Sequence, residues 1–233
     1  MIDIDTIENT SINSSQKIQQ FDLKNRKKFP RFPTTVIDDF FQEPLMWRNL
    51  ALQQEYKPAF NTTFPGQRSK PLAEIDEDIF GTFCERLLHF LPMYNGFYYC
   101  NASFFSVDET FIKGWVHDDD PDTTLTGIVY LNPDPPLNSG TTMYDDRFAE
   151  EYSEYHKIIQ KDCLQSTPEE RQNFSKHRDK QRSCFTPSIN VDNVFNRCVM
   201  FDPKTWHSAD NFFGTTLDNS RLTLVFYAQA GKR

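Results

Sequence analysis

Apolar positions recur at spacings of three and four in the first part of this chain and alternate with polar ones in the rest. Over residues 73–91, Ile75, Ile79, Phe83, Leu87 and Phe90 fall on one side of a 3.6-residue spiral, which predicts an amphipathic helix. Before it, VIDDFF at 36–41 predicts a short strand leading into a first helix, where Leu45, Leu50 and Leu52 lie among helix formers. From Gly96 the period shortens. FYYCNASFFSV, FIKGWVH, TLTGIVYLN and GTTMY are bounded by Asp, Asn, Pro or Gly and predict short strands, which resume with RCVMFD, a segment opening at TWHSADNFF, and RLTLVFYAQ. Between Asp145 and about Asn190 the pattern turns helical again. There Thr167-Pro168-Glu169-Glu170 reads as a capping box with proline at the first helical position. Short strands in series predict a mainly β (α+β) fold, a sandwich or barrel, with the early helices against the outside of a sheet. The helical insertion at about 145–190 is expected at the mouth, where loops carry specificity.

The chain has 233 residues, a length that suits one large domain. Residues 1–34 are polar, then basic and proline-containing, and predict a poorly ordered or surface-draped arm; residues 35–233 are expected to form the single domain. Only 38% of the residues are hydrophobic, so the 22 Phe and 9 Tyr must supply much of the core. The net charge of -8 opposes a phosphate backbone and makes nucleic acid an unfavourable partner, with KNRKK at 24–28 the one basic strip. Cys84, Cys100, Cys163, Cys184 and Cys198 are scattered and odd in number, which points away from a disulfide framework or a zinc ribbon. No apolar run approaches a membrane span, and the N-terminus lacks the pattern of a leader peptide, so a cytoplasmic setting without membrane contact is expected. Nothing in the sequence specifies an oligomeric state.

Candidate chemistry begins at GWVHDDD, residues 114–120. On a strand, alternation puts Trp115, His117 and Asp119 on one face, where His117 and Asp119 can share one metal ion. A calcium loop is excluded, because Thr123 stands where an EF-hand needs glycine and Val129 where it needs glutamate. An acidic surface turn is the other reading of these residues. Near the far end, His207 opens another predicted strand. Two histidines and a carboxylate make the facial triad of non-haem Fe(II) oxygenases, which leaves half of the coordination sphere for reagents. A structural zinc site needs a fourth protein ligand. His89, His156 and His177 lie in helical, polar contexts and read as surface residues. On the strand SRLTLVFY, Arg221, Thr223, Val225 and Tyr227 share a face. Arg221 is either an exposed strand end or a buried fork awaiting a carboxylate, with the Thr223 hydroxyl beside it.

Taken together, His117-x-Asp119, the strand GIVYLNP, the stretch SGTTMY, VFNRCVMFD leading to His207, and Arg221 leading LTLVFY resemble the Fe(II)- and 2-oxoglutarate-dependent oxygenases. Over residues 98–229 the likeness is strongest to the prolyl-hydroxylase branch. The resemblance implies a double-stranded β-helix, a jelly-roll or cupin-like barrel. It implies His117, Asp119 and His207 as catalytic iron ligands, Arg221 as the partner of the 2-oxoglutarate distal carboxylate, and Thr223 and Tyr130 as its helpers. Asn101 and Tyr99 are candidates by position for the other end of the cosubstrate, because the tyrosine- and glycine-rich stretch of prolyl hydroxylases is replaced here by FSVDETFIKG. The implied reaction, with Fe(II), 2-oxoglutarate and O2, hydroxylates an unactivated C–H bond and releases succinate and CO2. Asp119 points away from halogenation, for which a small residue would stand there. The implied substrate is a prolyl residue in a protein or peptide, or else a small molecule. A non-catalytic metal- or ligand-binding jelly roll and a nucleic-acid demethylase of the same fold are the alternatives.

Overall fold

The structure, a computed structural model, describes residues 32–58, 65–119, 122–145 and 167–232. Its largest element is a seven-stranded antiparallel sheet of β1 (Thr35–Ile37), β2 (Lys57–Pro58), β3 (Gln67–Pro71), β4 (Tyr94–Val107), β5 (Leu125–Tyr130), β8 (Cys198–Phe201) and β10 (Arg221–Lys232), in the order β1-β8-β5-β10-β4-β3-β2. A second, three-stranded sheet has the order β7-β6-β9, from β6 (Thr141–Asp145), β7 (Thr186–Val191) and β9 (His207–Ala209).

Side-chain alternation along β10 explains how the layers form. Leu222, Leu224, Phe226 and Ala228 are buried on one face, and pack with Trp47, Phe83 and Leu87. Those three belong to the helices α1 (Pro44–Leu52) and α3 (Glu77–His89), so the helix layer covers this side of the large sheet. Full burial of each leucine or phenylalanine side chain here contributes about 1.5–3 kcal/mol. On the opposite face, Tyr130, Val199 and Phe201 pack with Met143 and Val191 of the small sheet. Gly127 is paired with Phe226, and a Cβ there would lie 2.3 Å from the Phe226 ring; only glycine admits the aromatic contact.

The helix expected over 73–91 is split, into α2 (Leu72–Ile75) and α3. Asp76 is the cause. Its extended backbone ends the first piece and its carboxylate accepts the Ile79 N–H at 2.9 Å, capping the second.

Three further expectations need correction or completion. FIKGWVH is not a regular strand: residues Glu109–Phe111 form a turn of 3-10 helix, and the segment after it is joined to β9 and the residues just beyond by the isolated bridges Lys113↔Asn211 and His117↔His207 and by the Gly114–Ala209 hydrogen bond. The insertion is helical only in part, since α4 (Pro168–Ser183) is followed by β7, which pairs with β6. Most of the N-terminal arm falls outside the described residues, but Phe32 is buried and its N–H donates to Asp202 at 3.1 Å. Among the described residues no helix is long and apolar enough to cross a membrane.

Candidate metal centre

His117 and His207 stand opposite each other as a hydrogen-bonded antiparallel pair. The His117 N–H donates to the His207 carbonyl at 3.0 Å, and the His207 N–H returns to the His117 carbonyl at 2.8 Å. This pairing sets the two rings 4.3 Å apart, centroid to centroid. Two residues on, the Asp119 N–H donates to Pro203 at 2.7 Å, which returns the Asp119 side chain to the His117 face as strand alternation predicts.

Each imidazole has its tautomer fixed in the same way. His117 Nδ1 lies 3.1 Å from the Trp115 carbonyl and His207 Nδ1 2.8 Å from the Thr205 carbonyl, both two residues upstream. A carbonyl can only accept, so each Nδ1 carries the proton and each Nε2 presents a lone pair. Both lone pairs meet Asp119: His117 Nε2 lies 3.9 Å from Oδ1, and His207 Nε2 3.7 Å from Oδ2. Burial, reinforced by His117, pushes the pKa of His207 down to about 4 against the pull of Asp119, keeping the ring neutral.

The donor atoms of all three residues lie within 4.8 Å of one another, and among the described residues no fourth His, Cys, Asp or Glu joins the group. Metal–ligand bonds of about 2.1 Å let one ion join donors up to about 4.2 Å apart. The two His–Asp separations fall inside that limit, and the widest donor spacing in the group, at most 4.8 Å, is within a small side-chain rotation of it, so the three residues fit a divalent ion held on one side.

A cleft of about 80 Å³ opens beside the three donors, walled by apolar groups such as Phe105, Ile128, Phe201 and Val225. Arg221 lies in its lining and is only 4% exposed. The strand-end reading of Arg221 is therefore wrong. Its guanidinium donates to the Ser139 carbonyl at 3.2 Å, the Gly140 carbonyl at 3.5 Å and Thr141 Oγ1 at 3.4 Å, and lies 5.4 Å from the centre of the Tyr130 ring. Burial lowers its pKa, with Tyr130 and Asp210 pulling the other way. Among the described residues no carboxylate forms an ion pair with it. Gly140 permits the close approach of this loop, because a Cβ there would lie 2.0 Å from the Val191 carbonyl.

Thr223, one alternation further along β10, is buried, and among the described residues its Oγ1 has no hydrogen-bond partner. Tyr130 is paired with Thr223 and shares a 2.7 Å hydrogen bond with Thr141. Burial raises the Tyr130 pKa well above the phenol range.

The two residues chosen by position divide. Asn101 is paired with Tyr227 on the cleft face of the sheet, and among the described residues its buried Oδ1 has no hydrogen-bond partner. Tyr99 is 48% exposed and lines a second, more open hollow, with Arg68, Asp118, Thr123 and Gln229. Asp119 and Tyr227 are common to both cavities. Sequence reasoning did not single out Arg68, whose guanidinium carbon sits 4.2 Å over the Phe105 ring. Its strand, QRSKP, lacks the apolar alternation that would have announced it. Tyr227 was legible by alternation with Arg221. Burial, then Asp119, raises its pKa.

Comparison with solved structures places this architecture. HygX from Streptomyces hygroscopicus, determined with nickel and 2-oxoglutarate bound and also with hygromycin B added, is similar with a TM-score of 0.50 at 12% identity, over 85% of this chain and 83% of that one. SnoN, a non-heme alpha ketoglutarate dependent epimerase from nogalamycin biosynthesis, gives 0.49 at 12% identity over 92% and 84%. A Pseudomonas putida prolyl-4-hydroxylase gives 0.46 at 15% identity over 87% and 94%. At the level of fold, the likeness to HygX bears out the oxygenase resemblance read from the sequence. No curated protein matches the sequence. Residues 20–224 match the family described as "Family of unknown function (DUF6445)", and with most of its length matched, the chain belongs to that family.

Proposed function

We propose that the chain is an Fe(II)- and 2-oxoglutarate-dependent dioxygenase, built on a double-stranded β-helix within a single domain of residues 35–233. The observation that carries this reading is the meeting of two imidazole Nε2 atoms and one carboxylate, from segments far apart in sequence, beside a cleft containing a buried arginine. His117, Asp119 and His207 would hold the iron. Arg221 would clamp the distal carboxylate of 2-oxoglutarate, with the Thr223 hydroxyl donating to it and Tyr130 holding the guanidinium in place. For the other end of the cosubstrate, the place of Asn101 beside Tyr227 on the cleft face, with amide N–H groups that suit a carboxylate, supports a role for Asn101 better than exposure supports one for Tyr99.

When bound, iron with 2-oxoglutarate and O2 supplies the oxidant that hydroxylates a C–H bond, with release of succinate and CO2. The chain's own contribution is orientation and dryness. The backbone bonds to both Nδ1 atoms aim the ligands, Phe201 and Phe212 exclude water, and Asp119 stands at the junction of the two cavities. The primary substrate would enter by the open hollow, whose Arg68, Tyr99, Asp118 and Gln229 offer polar contacts to a peptide, prolyl residues included, or to a small polar molecule.

Anaerobic addition of Fe(II) and 2-oxoglutarate should produce a visible charge-transfer band, and admission of air should release succinate. A His207→Ala control should do neither. Succinate at the control level, with peptides and small metabolites offered as substrates, would reduce the protein to a non-catalytic metal-binding jelly roll.

A further inference from the structure

Residues 111–117 run beside the small sheet, and among the described residues only one of their edges is served by a strand. On the inner edge, Gly114 N–H donates to the Ala209 carbonyl at 3.1 Å and His117 exchanges both of its bonds with His207. The outer edge carries groups that a neighbouring strand would ordinarily satisfy. Helix α4 supplies them from side chains instead. Arg178, Gln181 and Arg182 occupy positions i, i+3 and i+4, one face of a helix.

The contacts follow the segment residue by residue. Arg178, 1% exposed, donates to the Phe111 carbonyl and, at 3.2 Å, to that of Lys113. Gln181, fully buried, accepts the Val116 N–H on Oε1 at 2.9 Å and donates from Nε2 to the Val116 carbonyl at 2.6 Å. Arg182 reaches the carbonyls of Gly114 at 3.1 Å and Ala209 at 3.0 Å, and pairs with Asp210 at 2.8 Å. Gln181 thus treats Val116 as a paired strand residue would, and Val116 is the immediate neighbour of His117.

A second observation lies at the start of the same segment. Ile112 has φ 66 and ψ -70, and Lys113 N–H donates to the Phe111 carbonyl at 2.8 Å, which makes a γ-turn of the strained, positive-φ kind. For a β-branched residue that conformation is a true outlier, and it persists only where the surroundings over-determine it. Both carbonyls flanking the strained residue are bound by Arg178.

We propose that α4 is a working part of the metal centre, in which Gln181 is a positioning residue that fixes His117 through the main chain of Val116, so that helix docking and ion binding are coupled. The proposal rests on the reading of His117, Asp119 and His207 as a metal site. Coupling is reciprocal: an ion on His117 must hold α4 down as firmly as docked α4 favours the ion.

The test uses the full chain and Ni(II) as probe. Gln181→Ala should weaken Ni(II) binding roughly 10–100-fold, the range seen when groups that orient metal ligands are removed. In the metal-free protein, it should speed amide hydrogen exchange across 114–119 while leaving β10 protected. Gln181→Glu keeps the volume and the acceptor but loses the donor, and should also fail to restore affinity. The exposed neighbour Lys180→Ala is the control and should change neither measurement. Should Gln181→Ala not fold, Gln181→Glu carries both measurements. Wild-type affinity in Gln181→Glu and Gln181→Ala, with wild-type Ni(II) binding strong, would overturn the coupling alone. Wild-type binding no stronger than that of His207→Ala would overturn the metal reading and the coupling with it.

Discussion

Arg221 is a cation removed from water and surrounded, within hydrogen-bond reach, by neutral acceptors. A buried guanidinium without a countercharge costs several kcal/mol, which a bound dicarboxylate would offset. Two results should therefore diverge in one variant. Arg221→Met should raise the apparent KM for 2-oxoglutarate at least tenfold, since loss of one partner of a desolvated pair costs about 2–5 kcal/mol. The same variant should melt no lower than the wild type in the absence of cosubstrate, because an apolar side chain of similar reach removes the desolvation penalty. Steady-state kinetics and a thermal melt check the two halves. An unchanged KM would separate Arg221 from the cosubstrate. The sequence could place this arginine at the head of a strand but left its burial open, since the loop that encloses it, residues 139–141, is brought in by a different sheet.

At the scale of elements, the large sheet stands on the alternation of β10, and Gly127 is where that packing is tightest. Gly127→Ala should destabilise the protein by about 1–3 kcal/mol as the Phe226 ring is displaced, and Phe83→Ala by about 3–5 kcal/mol, both read from denaturant midpoints. These elements were legible beforehand. β4, β5, β8 and β10 are β-rich, largely apolar stretches bounded by turn residues, and α3 repeats its apolar positions at helical spacing. Three elements were illegible for physical reasons. β3 and β7 are short and largely exposed, so burial never imposed a pattern on QRSKP or TPSINV. The segment at 111–117 looked like a strand because one of its edges is paired, yet its outer edge depends on Arg178, Gln181 and Arg182, whose reach from a distant helix leaves no trace in local periodicity. The segment at 145–190 consequently does more than was expected of a specificity loop. Its deletion should abolish metal binding and succinate formation together, since it carries both β7 and the supports of His117.

For the whole molecule, a ligand that binds only the folded chain stabilises it by mass action. Saturation with Ni(II) alone, to about 100 times its dissociation constant, corresponds to about 2.7 kcal/mol. In a chain of this size that should raise Tm by about 5–10 °C, and a chelator should reverse it. The net charge of -8 adds that duplex DNA should give no electrophoretic shift at moderate salt; a shift would revive the demethylase alternative.

The pairing of His117 with His207 makes the centre a late product of synthesis. A ribosome-bound chain that has emerged only as far as Asp119 offers an ion two donors on one flexible stretch, and the third arrives once β8 and β9 have been made and have closed on it. If the site holds iron as proposed, an unfinished chain lacks the third ligand, and a truncated or misassembled copy would bind the ion weakly and carry no oxidising power to turn on itself.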